Sequence, residues 1–359
     1  MDKYKMGGHK LLWHLDRVQA WQKGERIAPL SIDVGLSKGC NIRCEYCFGQ
    51  MQGNGYKDKA NVVFSREALL NYVRDAGTMG VRSMALIGEG EPTLNPAIYD
   101  AIIEGKKAGV DMSLGTNGIL FDKGTKGEEA LRNLTWIRFN ISAASKEAYR
   151  RVHNSDMFDT VIDKISFCVE TKRKYDLNVT IGLQMVLTPG NVDQVVALAQ
   201  LGAKLGVDYF VVKQCSDVQD NTLGVYEQLG EYKNFSDLLQ AAERESTEHY
   251  NVIIKWQHIT NEGKRNYKKC LGAPFFLYSS GDGRLYPCGM FFDKYEEEYR
   301  LGDLTKQSFI EIVNSDRYWD VMRKVAEIDV STCYSNCRTN MINEFAWQLK
   351  NPPEHINFI

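Results

Sequence analysis

The sequence predicts an α/β protein in which a parallel sheet with helices outside it is followed by a smaller α+β domain. Three observations predict it. Strand-like apolar runs alternate with helical sequence six times between residues 30 and 213, and serial βα units build parallel sheets. The chain has 359 residues, more than one hydrophobic core usually serves. Its nine cysteines fall as three near the amino end, four in the C-terminal hundred residues and two alone, so the two ends carry separate thiol sets.

Taken in order, Leu11, Leu12, Leu15, Val18 and Trp21 recur at helical spacing over 9–24, and Gly24 is the expected stop. A strand over 30–36 leads into a cysteine loop and then a polar, Gly-rich, irregular stretch to Asn61. Ser65 is the expected N-cap of a helix to Thr78, with Glu67 in its first turn. Strands over 83–87, 110–114, 136–141, 179–186 and 208–213 alternate with helices over 96–107, 127–133, 146–152, 157–174 and 192–205. Periodicity alone leaves a barrel and an open doubly wound sheet both standing. Helical segments follow over 222–247, then a strand over 252–256. A domain boundary near 250 divides the chain into 1–250 and 251–359. In the second part, 275–278 and 284–286 flank Ser280-Gly281-Asp282-Gly283, a hairpin signal. Helices are expected over 307–325 and 341–350. The tail 351–359 reads as a frayed end or as a flap over the site.

Composition narrows the function. Apolar residues make up 43% and charged residues 25%, ordinary for a globular protein. A formal net charge of -2 gives no electrostatic case for nucleic acid or an acidic membrane as partner. No apolar run approaches the roughly 20 residues that span a bilayer. Met1 to Lys10 is polar, with no signal-peptide core, so the chain reads as cytoplasmic. Cysteines in a reducing cytosol serve more often as metal ligands or catalytic thiols than in disulfides.

The amino-terminal set is Cys40-x3-Cys44-x2-Cys47, directly after the first strand. A four-iron cluster takes one thiolate per iron, so three thiols in one loop leave one iron open. With Tyr46 before the last cysteine, this loop resembles the radical S-adenosylmethionine (SAM) superfamily. The resemblance implies a partial (β/α)6 barrel and a [4Fe-4S] cluster whose open iron chelates the amino and carboxylate groups of SAM. It implies reductive cleavage of SAM to a 5'-deoxyadenosyl radical that abstracts hydrogen from substrate, and an external one-electron donor of flavodoxin or ferredoxin type. Ligands in parallel α/β folds gather at strand C-termini. There, Gly88-Glu89-Gly90-Glu91 resembles the turn that holds the SAM amino group, and Thr116-Asn117-Gly118 a turn reaching ribose or carboxylate. Asn140 and Ser142 share one face by alternation, where Ser142 resembles a ribose or methionine contact. Ile181 resembles the adenine-packing position and equally suits a core isoleucine. Arg150, Arg151 and Lys213 are candidates for the SAM carboxylate.

The second set is Cys270-x17-Cys288-x44-Cys333-x3-Cys337. Four thiols suit a structural zinc or a fully ligated cluster. Behind a radical SAM loop they resemble the twitch domain, the shortened SPASM form with one auxiliary [4Fe-4S] cluster, and the spacing is similar to that of aminoglycoside-pathway inosamine dehydrogenases. The resemblance implies dehydrogenation of a small polar molecule of the sugar, cyclitol or amino-sugar type, the auxiliary cluster accepting an electron. Cys215, directly after the sixth strand, is either a small packed residue or a hydrogen-atom donor. The second role would make the enzyme an epimerase, with Lys213 and Asp217 as further catalytic candidates. A peptide maturase is the other rival, and the roughly 30 residues before the first strand weigh against it. Cys168, among Ile165, Phe167 and Val169, reads as packing.

Overall fold

The computed structural model describes residues 8–47, 62–217, 223–260, 263–292 and 295–358. Most of the expected irregular stretch before Asn61 lies outside the described residues. Near the amino end come β1 (Ser31–Val34), β2 (Ser37–Lys38) and β3 (Val62–Val63), the last two forming a separate small ribbon. The βα series continues with β4 (Ser83–Leu86), β5 (Asp111–Thr116), β6 (Leu134–Asn140), β7 (Thr180–Leu187) and β8 (Tyr209–Gln214). Beyond it lie β9 (Asn251–Ile254), β10 (Phe276–Ser279), β11 (Arg284–Tyr286) and β12 (Gly302–Asp303).

One ten-stranded sheet runs β12-β11-β10-β1-β4-β5-β6-β7-β8-β9. From β10 through β9 every pairing is parallel, and β11 and β12 add antiparallel. The elements on both sides of residue 250 therefore share one sheet. β9 extends it past β8, and β10 of the expected hairpin pairs with β1.

Alternation sorts the strand side chains between two faces. Ile32, Val34, Met84, Leu86, Met112, Leu114, Ile137, Phe139, Leu183, Met185, Phe210 and Val212 are fully buried in the main core. That face packs on the helices: a Cβ on Gly118 would stand 2.7 Å from Phe139 and 3.6 Å from Val161 of the helix Phe158–Lys174. Each such side chain contributes roughly 1.5–3 kcal/mol through burial. Asp33, Arg138, Gln184, Tyr209 and Lys213 alternate with them and occupy the other face. Lys213 on β8 and Asp33 on β1 interact electrostatically. In a flat sheet the five strand spacings between β1 and β8 would hold them about 24 Å apart. The sheet is therefore curled, with this second face inside the curl. β9 and β12 are its unjoined edges, as in a partial barrel.

Candidate active site

The cysteine loop sits at the C-terminal end of β1 and is held from three sides. Arg43 and Glu45 donate backbone N–H groups to the carbonyls of His153 and Val152, which end the helix Lys146–His153 and lack intrahelical donors. Tyr46 hydroxyl bonds Ser142 Oγ at 2.8 Å. Gly39 O accepts the Glu91 N–H at 2.9 Å. This approach requires Gly90, whose Cβ would stand 1.9 Å from Gly39 O.

Donors are aimed at two of the sulfurs. Asn117 Nδ2 lies 3.7 Å from Cys40 Sγ and donates to Asn41 Oδ1 at 2.7 Å. His153 Nδ1 lies 3.0 Å from Cys44 Sγ, and its Nε2 accepts the Ser142 N–H at 2.9 Å. A ring nitrogen accepting from a backbone amide carries no proton, so Nδ1–H is the form that donates to the thiol. Burial holds this imidazole neutral, pulling it down to about 3. Burial pushes the Cys40 thiol up to about 12, helped by Glu91 and Cys47, and Cys44 well above its ordinary range, helped by Cys47 and Cys40. Two buried thiols raised in this way beside a third, with N–H donors aimed at both, are a donor set that becomes thiolate when positive charge is placed among them. The residues fit a cluster.

The carboxylates of the glycine-rich turn hold neighbouring turns. Glu91, 3% exposed, accepts from Thr93 N, Thr93 Oγ1, Thr116 Oγ1 and Asn117 N at 2.5–3.0 Å. Burial pushes its carboxyl up against the pull of these donors. Glu89 accepts from Gly281 N at 2.7 Å and from the Ser280 hydroxyl, tying the turn after β4 (Gly88 to Glu91) to the hairpin. Asn117 thus stands beside the cysteine loop, with Thr116 next to it on the Glu91 carboxylate. Asn140 accepts from Gln184 Nε2 at 2.8 Å on the inner face. Ile181 lies in the main core with Leu183, on the helix-facing side of β7. That is its packing alternative, and it removes Ile181 from the inner wall. Arg150 and Arg151 form exposed ion pairs with Asp156 and Asp193.

The three residues around the end of β8 differ in character. Lys213 lies on the inner face. Cys215, 2% exposed, packs with Val225 and Leu229 against Tyr46 and Val186, and burial pushes its thiol up to about 12. Asp217 is held by backbone groups of the loops around it. Its buried carboxylate accepts from Leu223 N at 2.9 Å and Val225 N at 3.4 Å, and its backbone pairs with Ser335. It holds together the loop after β8 and the loop of Ser335.

Cys270, Cys288, Cys333 and Cys337 interact with one another. Burial and then Cys337 push Cys270 up to about 12 and Cys333 to about 11. Asn343 Nδ2 lies 4.0 Å from Cys270 Sγ, and Thr339 Oγ1 3.4 Å from Cys337 Sγ. Among the described residues, no three His, Cys, Asp or Glu side chains converge on one point as ligands of a single ion do; cluster thiolates each take a separate iron. The loop carrying Cys337 reaches the curled sheet. Asn336 donates to Gln214 O at 3.3 Å, and Arg338 pairs with Asp33 at 3.3 Å.

Sequence reasoning missed Asp33, Arg138 and Arg338, and it read His153 only as structural or solvent-exposed, the first of which matches its full burial. Asp33 and Arg138 could have been found, because each interrupts an apolar strand at the inward period; the alternation that paired Asn140 with Ser142 reaches Arg138 one step earlier. Two polar surface clefts, one beside Asn71 and Asp75 and one beside Arg300 and Arg317, include none of the site residues. Among the described residues no helix is long and apolar enough to cross a membrane.

Lys213 carries a stability cost. Burial, then Arg138 and Arg338, pull it down to about 8 from 10.5. A lysine lowered on folding destabilises fully below its folded value, and the penalty disappears between about pH 8 and 10.5. Lys213→Met is therefore expected to stabilise the protein at pH 7 by about 2 kcal/mol. The gain should fade above pH 8, as read by urea denaturation across pH.

Two family models match the chain, and six of the seven cysteines of the two sets fall inside them, Cys270 lying just outside. The Radical SAM superfamily model matches residues 34–202. The SPASM model, an iron-sulfur cluster-binding domain, matches 275–339. Cys40, Cys44 and Cys47 fall in the first, Cys288, Cys333 and Cys337 in the second. A probable GTP 3',8-cyclase of Saccharolobus islandicus is 29% identical over 176 residues, 49% of this chain and 53% of its own. The chain thus spans about half the length of the curated relatives of this kind. The tungsten-containing aldehyde ferredoxin oxidoreductase cofactor-modifying protein of Pyrococcus furiosus is 24% identical over 307 residues, 79% of this chain and 80% of its own. Among solved structures, Streptococcus suis SuiB bound to precursor peptide SuiA superposes with a TM-score of 0.67 at 15% identity, covering 97% of this chain and 82% of SuiB. Native anSMEcpe with bound AdoMet gives 0.57 at 18%, covering 84% and 85%. At these identities the likeness is one of fold.

Proposed function

The chain carries a radical SAM domain and a SPASM domain, and on that premise we propose that it is a radical SAM enzyme that dehydrogenates a small polar substrate of the sugar, cyclitol or amino-sugar type. Cys40, Cys44 and Cys47 hold the SAM-binding cluster, and Cys270, Cys288, Cys333 and Cys337 the auxiliary one. When bound, the first cluster with SAM supplies hydrogen-atom abstraction, and the auxiliary cluster supplies an electron acceptor. An external carrier of flavodoxin or ferredoxin type supplies the reducing electron. Thr116, Asn117, Asn140 and Ser142 border the SAM side, and Glu89 and Glu91 hold the turns that form it.

One observation carries the oxidative reading. The loop from Ser335 to Arg338, between and beside the auxiliary thiols Cys333 and Cys337, reaches the inner wall through Asn336 and Arg338. An electron leaving a substrate there has a short path to the second thiol set. Iron counting and product analysis under anaerobic turnover test it: the reading expects about eight irons per chain and a product two hydrogens short of its substrate.

Epimerisation is the second reading, favoured by Cys215 packing against Tyr46 of the cluster loop and Val186 of the inner face. Cys215→Ala in deuterated buffer separates the two. Under dehydrogenation, product formation is expected to stay within about threefold of wild type, the range of a small packing change. An epimerase would lose deuterium-labelled product. A peptide product would instead support a maturase.

A further inference from the structure

The inner face holds more positive charge than its own carboxylate neutralises. Arg138 on β6, Lys213 on β8 and Arg338 from the auxiliary-cluster loop interact with one another and with Asp33 on β1. Arg338 is engaged by Asp33, at 3.3 and 3.5 Å, and stacks over Phe276 at 5.1 Å. The other two cations are not so matched. Arg138 lies against the Trp136 ring at 5.0 Å and bonds the Tyr209 side chain, while its Nε is buried with no hydrogen-bond partner among the described residues. Lys213 has neither a hydrogen bond nor an ion pair among them. Tyr209 is brought to Arg138 by Gly182 on the intervening strand, where a Cβ would stand 2.2 Å from the Tyr209 ring. Tyr278, on β10, is coupled to Asp33 and Arg338 on one side and to Cys288 and Cys337 on the other. Through Tyr278, the Arg338–Asp33 pair adjoins the second thiol set.

A buried guanidinium nitrogen without an acceptor is costly, and cations gathered off water repel one another. Both costs are relieved by an anion, which guanidinium groups bind with charge-assisted geometry. We propose that this inner-wall cluster is the substrate-anchoring site, and that the substrate carries an anionic group, carboxylate or phosphate, held by Arg138 and Lys213 with Arg338 beside them. Asp33 sets the limit on this charge by occupying Arg338. The assignment rests on the reading that substrate lies inside the curl, and it adds the class of substrate.

The test is calorimetric titration of the SAM-saturated holoprotein, without reductant, with inorganic phosphate, inorganic pyrophosphate or succinate. One saturable site is expected for the phosphates or for the dicarboxylate, which tells the two sources apart. Arg138→Gln and Lys213→Gln are each expected to weaken it by at least about tenfold. Asp33→Asn, which keeps the fold of β1 and removes the competing carboxylate, should tighten it several-fold. Absence of saturable binding for all three anions, unchanged affinity in these variants, or release of SAM by the anion would each overturn the assignment. The last would mean that the cations serve the SAM carboxylate. Formation of 5'-deoxyadenosine by the wild type, measured separately with reductant, reports on the reaction and not on the anion, so the two readings fail independently.

Discussion

Cys44→Ala is expected to eliminate reductive SAM cleavage, a loss of more than about a thousandfold, because the cofactor carries the chemistry and the protein only holds it. The iron content should fall from about eight to about four per chain, since one thiolate serves each iron. Two bonds make Cys44 the most informative of the three. Its sulfur faces the His153 N–H at 3.0 Å, and Arg43 and Glu45 fix the loop around it to the C-terminal end of the helix Lys146–His153. Alanine leaves those backbone bonds in place. The buried His153 N–H loses its acceptor, so the metal-free protein should lose only about 1–3 kcal/mol and remain folded. Iron content, 5'-deoxyadenosine yield and the urea midpoint check the three parts. Retention of SAM cleavage in the variant would remove the loop from the chemistry.

Local pattern carried most of the fold. Every strand of the βα series is within two residues of its expected bounds, because β-branched alternation and turn chemistry are encoded locally. Capping was less legible. Ser65 occupies its expected N-cap position without a side-chain cap bond. The expected helix over 307–325 is two helices, divided at Ser315, which caps the second, while Ser308 and Glu311 form a capping box on the first. The S-x-x-E spacing of that box was readable. The joining of β10 to β1 and of β9 to β8 was not, since parallel pairing across long sequence separations leaves no local mark. For the same reason the two cysteine sets were visible as spacings, whereas the charges between them became a site only when the sheet curled. Glu89 and Glu91 show the complementary limit. Their turn was identified from its glycines, but which groups the two carboxylates hold depends on what the fold brings beside them.

Glu91→Ala is expected to destabilise the protein by about 3–5 kcal/mol. The side chain is buried, and its two oxygens accept four hydrogen bonds, from the Thr93 amide and hydroxyl, the Thr116 hydroxyl and the Asn117 amide. Hydroxyls can turn elsewhere, but the two amides are fixed by the backbone. A buried amide left without an acceptor costs about 1–3 kcal/mol, and the vacated volume adds a cavity cost. That total is a large fraction of ordinary domain stability, about 5–15 kcal/mol. Glu91→Gln keeps the volume and one carbonyl oxygen, so it should lose less, with its amide NH2 meeting a donor where the second oxygen accepted. The effect should also reach the cysteine loop. Asn117, whose backbone Glu91 holds, is the residue that bonds Asn41 and faces Cys40, so the Ala variant should reconstitute with less iron than Gln at equal protein. Urea denaturation of the metal-free protein and iron assay after reconstitution check the order wild type, Gln, Ala. A loss below about 1 kcal/mol in the Ala variant would mean that the turn after β4 is held by its backbone alone, and that Glu91 is available to a ligand.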